Sequence, residues 1–539
     1  MRRLSRAEVL ASEPCFLLTI YWSGRRFRFA SFPLTLSSDD GLLRFNGALS
    51  LADFVDALPR SGVVQDGADA SLEVVFAGLN VAGEYFAGRP LETATCELSM
   101  ILHRSMTTDA TWEGRIVLMV GRATGVQFGW PDRDPGWAAL TVTARTYDDD
   151  APLIDPAWRV NNGTFTYWNN GGTNDDAAGS VYPIVIGQPG DAQIMGSPSF
   201  RVDTRALQQK VFLSVGRLDA TQVVVLGDDG TRDNSVPVVA GVDGRGTVYS
   251  YGDIGSSGTL TKTLDRYYVG WASGGGGLLN PYGSGPLTRA ADVIRWAFSR
   301  GAYGAEAGAW EALLPTLSRY KFAGYINDPT VTAWQWLRDE ILEFLPIKVR
   351  IGSDGAYPVS LLPLLPTASL PAIQVGDSWG VEQVSPFEVT TPIVEVINDF
   401  SIEYYTNAKE NKNTKSLRAT GDTRDPERAR VASAEISHAT YGHRPGPAVV
   451  AGFVYDDNTA HLMLQDRARD KGFLSMSTVL SARPAYGWLH VGDQISLTMS
   501  RYDLTGHRAT VLTKRWDAEA ARWVFEVGLS QTPLDHNLP

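Results

Sequence analysis

Trp158, Tyr167 and Trp168 stand close to Asn169, Asn170 and Asp175 in a stretch of low hydrophobicity. Aromatic faces stack on sugar rings while amides and carboxylates hydrogen-bond the rim, so these six residues are the carbohydrate-contact candidates; the same rings are equally suited to filling a β core. The surrounding DDDAPLIDPAW and NNGTFTYWNNGGTNDDAAGS are rich in the oxygen donors that calcium takes. They lack the alternating oxygens, central glycine and distal glutamate of an EF-hand loop, and a solvated loop accounts for them better.

Catalytic arrangements are poorly served. A glycoside hydrolase holds two carboxylates roughly 5–10 Å apart across the scissile bond. Asp339, Glu340 and Glu343 instead share the polar side of one predicted helix. His438 and His443 are the only close pair among seven histidines, and a zinc site needs a third ligand and an element to align them. No GxSxG marks a nucleophile elbow. The run ASGGGGLLNPYGSGP has no Gly-Lys-Ser/Thr to cradle phosphates, which leaves flexibility as its use. Asp493 and Asp517 fall where the chain must reverse and read as turn-forming carboxylates. No cofactor, metal or catalytic residue is expected.

The elements that must carry these residues are mostly strands. Within residues 1–150, CFLLTIYW, RRFRFASF, ASLEVVFAG, ATCELSMILHR, EGRIVLMVGRATGVQFGW and AALTVTART alternate with tight turns, with one short helix expected at 50–58. That count predicts a β-barrel-like or sandwich domain. Residues 151–275 read as a second β-rich domain. Residues 286–370 read as α+β, with helices at 287–300 and 332–345, then a hairpin turning at SDG. Trp336, Ile341 and Leu345 form the apolar stripe of the second helix, and Trp334 and Trp336 are core candidates before ligand-stacking ones.

Residues 371–539 read as a C-terminal β-rich domain with one helix at 459–471 and a stop at Gly472. A strand is expected at 394–405, then a mobile hairpin or interface loop in TNAKENKNTKSLRATGD. Further strands are expected at 475–480, 488–491, 494–502, 509–516 and 522–529. The fold class is mainly β with smaller α+β domains, multidomain.

With 539 residues, several cores are needed. The 48 basic and 60 acidic residues leave a net charge of -12, a poor match for general nucleic-acid binding. Cys15 and Cys96 fall in separate strand-like runs and read as buried small hydrophobes, with pairing left open. Glu8 and Glu13 break the N-terminal pattern of a signal peptide, and no apolar run approaches a membrane span.

The order of a barrel-like N-terminal region, TAWQWLRDEI followed by KVRIGSDGAYPVSLLP, and a C-terminal ISLTMSRYD resembles the baseplate hub or tail tip proteins of long-tailed bacteriophages and gene-transfer particles. The resemblance implies β-barrel hub domains in a homotrimeric ring at the tail tip or baseplate of a virion assembled in the host cytoplasm. It also implies distal tail, tape-measure and tip or fibre proteins as neighbours, and DNA passing through without specific binding. The long 151–275 region departs from a minimal hub and reads as an outward decoration facing host polysaccharide or another tail component. A carbohydrate-binding host-recognition protein is the alternative, and a polysaccharide or peptidoglycan hydrolase a further one.

Overall fold

The computed structural model describes residues 13–39, 41–57, 68–103, 111–128, 136–144, 152–160, 177, 179–203, 209–262, 264, 266–271, 275–300, 307–351, 356–360, 369–420 and 428–530. The chain divides into two compact units, each drawing on separate stretches of sequence. One comprises residues 1–146, 347–395 and 474–539; the other comprises 147–346 and 396–473.

The first unit is built on a fourteen-stranded sheet. Its main path starts at the edge strand Arg25–Ala30 and runs through Glu13–Trp22, Thr95–His103, Ile116–Phe128, Trp137–Ala144, Asp69–Val75 and Leu49–Ala57. It continues through Leu504–Asp517, Arg522–Ser530 and Ser475–Ala482 to Val381–Gln383. The first two strands of the chain are joined by a two-residue turn in which Ser23 and Gly24 both take positive φ, the geometry that matches the right-handed twist of a hairpin. One apolar core runs from Phe16, Leu18 and Ile20 to Trp523, Phe525 and Val527.

The seam between early and late strands lies where Phe54, Val55, Asp56 and Ala57 pair antiparallel with Trp516, Arg515, Lys514 and Thr513. Here the structure corrects the helix expected at 50–58, because Leu49–Ala57 is a strand. Leu51, Phe54 and Val55 have helical spacing in sequence. A bulge between Leu51 and Asp53 resets the alternation, so that Leu51, Phe54 and Asp56 all turn inward. Cys15 and Cys96 are buried free thiols in different core clusters, Cys96 in the main core and Cys15 in a smaller one with Leu36 and Phe45. Burial raises both, Cys15 to about 11 and Cys96 to about 12.

In the second unit six strands close into a barrel in the order Ser197–Asp203, Lys210–Val215, Val248–Asp253, Arg232–Val242, Gln222–Gly227, Arg266–Trp271. The closed barrel therefore lies in the second β region, whereas the strands described within 1–150 enter the large sheet, apart from the separate hairpin of Leu34–Ser38 with Gly41–Phe45. Alternate inward residues, among them Val211, Leu213, Val223, Val225, Tyr267 and Val269, fill the barrel. Beside it in this unit are helices Ala290–Phe298, Ala307–Leu317 and Ala333–Trp336, the last capped by Thr332, whose hydroxyl accepts from Gln335 N at 3.1 Å. Trp336 is buried edge-on to Trp296 and Phe453, and Ile341 and Leu345 are buried with it, as the stripe predicts.

A four-stranded sheet completes this unit, with Asp399–Asn407 central between Lys412–Ala419 and Pro445–Val450, and helices Ala432–Tyr441 and Asp457–Lys471 beside it. The KENKNTKSL stretch, expected as a mobile hairpin or interface loop, is the turn and second arm of an ordered antiparallel hairpin, with Lys412–Ala419 paired to Asp399–Asn407. The backbone of Lys412–Ala419 pairs with Phe400–Asn407 while only Ala419 of its eight residues is buried, so polarity here marks exposure rather than loss of structure. Residues 488–491 are likewise not a strand. They form a turn in which Asp493 accepts from His490 N at 2.7 Å and Gly492 takes a φ of 90°. Asp517 similarly accepts from Glu519 N and Ala520 N, as expected of a turn carboxylate.

Candidate functional site

Of the carbohydrate-contact candidates, Trp158 lies within the described residues; Tyr167, Trp168, Asn169, Asn170 and Asp175 lie outside them. Trp158 is half-buried, with the Arg300 guanidinium 5.5 Å from its ring centroid and 5.3 Å from that of Trp296. A cation over an aromatic face competes with a sugar for the same π surface. The structure thus gives one face of Trp158 an internal partner.

The polar residue pair that the sequence singled out does meet. His438 and His443 have ring centroids 5.8 Å apart. The chemistry around them centres on Asp399, which the histidine spacing alone did not reveal. Asp399 is buried at the start of the central strand, and Arg418 on the neighbouring strand grips it with Nε to Oδ1 at 2.8 Å and Nη2 to Oδ2 at 2.8 Å. His443 Nε2 bonds Oδ2, and Thr420 Oγ1 donates to the same oxygen at 3.4 Å. Burial pushes this carboxyl up, but the hydrogen bonds from Arg418 and His443 outweigh it and hold Asp399 below the usual carboxylate range.

An Asp–His contact is half of a nucleophile-activating relay. The other half would be a hydroxyl or thiol on the histidine. Ser437, the buried hydroxyl of that helix, instead donates to Gly472 O and lies 3.1 Å from the Asn398 amide that donates to it. Asn398 also donates to Gly442 O and accepts from Arg444 N. These bonds tie the central strand, the 432–441 helix and the strand after it into one brace.

The remaining polar contacts of this unit have the same character. Tyr405 donates to Asp191 at 2.7 Å, Tyr404 donates to Asp457 at 2.9 Å, and Lys415 bonds Asp457 at 2.8 Å. Asp339 pairs with Arg338, and Glu343 lies 3.6 Å from Arg467. Burial, then Asp339, then Glu343 raise Glu340 above the usual range. The three carboxylates remain on one helical segment, an arrangement that does not flank a bond. Among the described residues no group of three or more His, Cys, Asp or Glu is placed to hold a metal ion.

Tyr320 donates to the buried Asp466, with Arg469 Nη1 3.7 Å from the carboxylate. Burial dominates here and Asp466 is pushed up to about 6. A folded-state value above the unfolded one means that this group's contribution is fully present below about pH 4 and is lost as pH rises through about 6. Asp466→Asn keeps the acceptor for Tyr320 and deletes the titration. Relative to wild type, Asp466→Asn should gain about 2–3 kcal/mol between pH 4 and pH 7.5, read from denaturant unfolding at both pH values. An unchanged difference between the two proteins across that range would contradict the assignment.

In the first unit Lys514 is fully buried, donates to Gly487 O at 2.6 Å and lies 4.5 Å from the Trp523 ring centroid. It stands opposite the buried Asp56 in the seam. Neither residue shows a signature in the local pattern. Only the pairing of the two ends of the chain places them together.

No family model and no curated protein matches the chain. Among solved structures the chain is similar to the tail protein from Neisseria meningitidis MC58, at TM-score 0.36 and 10% identity over 96% of this chain and 97% of that one. It is also similar to the 43 kDa tail protein of prophage MuSo2 from Shewanella oneidensis, at TM-score 0.35 and 8% identity over 95% and 97% of the respective chains. Prophage tail protein gp18 from Listeria monocytogenes EGD-e matches at TM-score 0.23 and 10% identity, over 65% of this chain and 94% of that one.

Proposed function

We propose that this chain is a non-catalytic structural subunit of a bacteriophage tail, a hub protein that forms a homotrimeric ring at the tail tip or baseplate. The observation that carries the structural role is the use made of buried polar chemistry. Asp399, Asn398, Ser437 and Tyr320 each join elements distant in sequence. Groups spent in this way hold a scaffold in one shape rather than act on a substrate.

The tail assignment rests on the sequence resemblance carried by TAWQWLRDEI, KVRIGSDGAYPVSLLP and ISLTMSRYD. In such a ring the subunit would join the tail tube to the distal tip, with distal tail, tape-measure and tip or fibre proteins as neighbours. Closed symmetry repeats each contact and so stabilises a channel from individually weak interfaces. The net charge of -12 would keep passing DNA from adhering by like-charge repulsion. Negative-stain microscopy of the purified full-length protein tests the reading: threefold particles with a central opening are expected, and a field of compact single chains at all concentrations would overturn it.

A further inference from the structure

Two edges of the large sheet differ in chemistry. At one edge, Arg25–Ala30 presents Arg25, Arg26 and Arg28 in six residues, with Arg25 and Arg26 exposed and Arg26 4.7 Å over the Tyr21 ring. Asn46 covers the outer side of this strand at Arg28 O and Ala30 N. The alternation that sends Arg28 O outward also sends Arg26 N–H and C=O outward, and among the described residues no backbone group bonds them. At the opposite edge, Glu388–Thr391 pairs on one side with Ser475, Met476 and Ser477. Its outer side meets no other strand among the described residues.

That second edge is apolar and acidic. Val384, Val389, Ile393 and Val394 are exposed at 55, 64, 47 and 75%, a concentration of water-facing β-branched side chains within eleven residues that a soluble surface normally avoids. Glu388 and Glu395 are exposed in the same stretch. Glu382 is already paired, with Arg522 at 2.9 Å. Strand edges attract strands, and here one edge is basic and aromatic while the other is acidic and aliphatic.

We propose that the edge bearing Val389 and Glu388 docks on the edge bearing Arg26 of a second copy of this chain. The inference rests on the ring reading and specifies its interface. Because the two edges are different surfaces of one chain, the contact is head to tail and each copy offers one of each, which is the arrangement that generates a closed ring when the rotation closes. Backbone pairing supplies the attachment, burial of the valines and Ile393 supplies the driving force, and opposite charges set which edge meets which.

The experiment measures the mass of full-length wild type, Arg26→Glu, Glu388→Arg and the double reversal by sedimentation, at low and high salt, with circular dichroism confirming that each is folded. Val389→Asp supplies an independent disruption if either charge variant fails to fold. Each single reversal, and Val389→Asp, should reduce the particle to the 58.6 kDa of one chain at concentrations where wild type assembles, and the double reversal should recover the wild-type mass. Singles that keep the wild-type mass, or a double reversal that recovers nothing, would overturn the edge pairing while leaving the ring standing. A wild-type protein that is monomeric throughout would overturn both.

Discussion

Trp523→Ala should cost the first unit about 3–5 kcal/mol, the range for removing a fully buried large aromatic. The residue is wholly buried where the early and late parts of the chain share a core. Its ring lies 5.0 Å from Trp516, 5.8 Å from Phe54 and 6.4 Å from Phe16, all edge-on. Truncation leaves a cavity across the seam and takes the π face away from buried Lys514. Trp523→Phe retains part of the packing and should cost roughly half as much. Hydrogen exchange should report the loss in Leu49–Ala57 as well as in Arg522–Ser530, because the seam couples them. A loss confined to the C-terminal strands, or below about 1 kcal/mol, would show that the seam does not hold the sheet.

Asp399→Ala is expected to destabilise the second unit by about 3 kcal/mol at pH 7. The carboxylate is buried, whereas Arg418 and His443 are partly exposed and can recover hydration, which keeps the cost at the low end for a broken pair. Asp399 is held below its ordinary range, so its contribution is present above about pH 4 and is lost as pH falls through the lower folded-state value. The difference between wild type and variant in urea unfolding should therefore shrink on acidification. A difference that stays constant from pH 7 to pH 3 would contradict the role given to the ionised carboxylate.

Much of the fold was legible where a single period ran uninterrupted. The 459–471 helix has Ala460, Met463, Leu464 and Ala468 at helical spacing, all buried, and a capping aspartate, Asp456, whose carboxylate accepts from Thr459 N at 2.9 Å. The strand at 522–530 alternates, with Trp523, Phe525, Val527 and Leu529 all buried. The pattern failed at 50–58 because one bulge changed the parity and left Leu51, Phe54 and Val55 at helical spacing. At 412–419 the hairpin is present, but its regular strand was not legible because a strand with a single buried residue has no apolar alternation to display. The closed barrel at 197–271 was not legible for a different reason. Strands in 1–150 and in 197–271 have similar local character, and closure depends on which strands pair, as Ser197–Asp203 does with Arg266–Trp271.

The candidate sites were less legible. The histidine pair was visible, but Asp399 and Arg418, which give His443 its partner, come from strands whose register no local window contains. The same holds for Tyr320 with Asp466, 146 residues apart. Buried Lys514 looked like an ordinary strand lysine, because only the pairing with residues 54–57 puts it inside.

The mass of the full-length protein in solution, measured by light scattering, tests self-assembly directly. A ring-forming structural subunit predicts a particle of three times the 58.6 kDa chain. A strict monomer across the accessible concentration range would contradict self-assembly and turn attention to a stand-alone role for the chain.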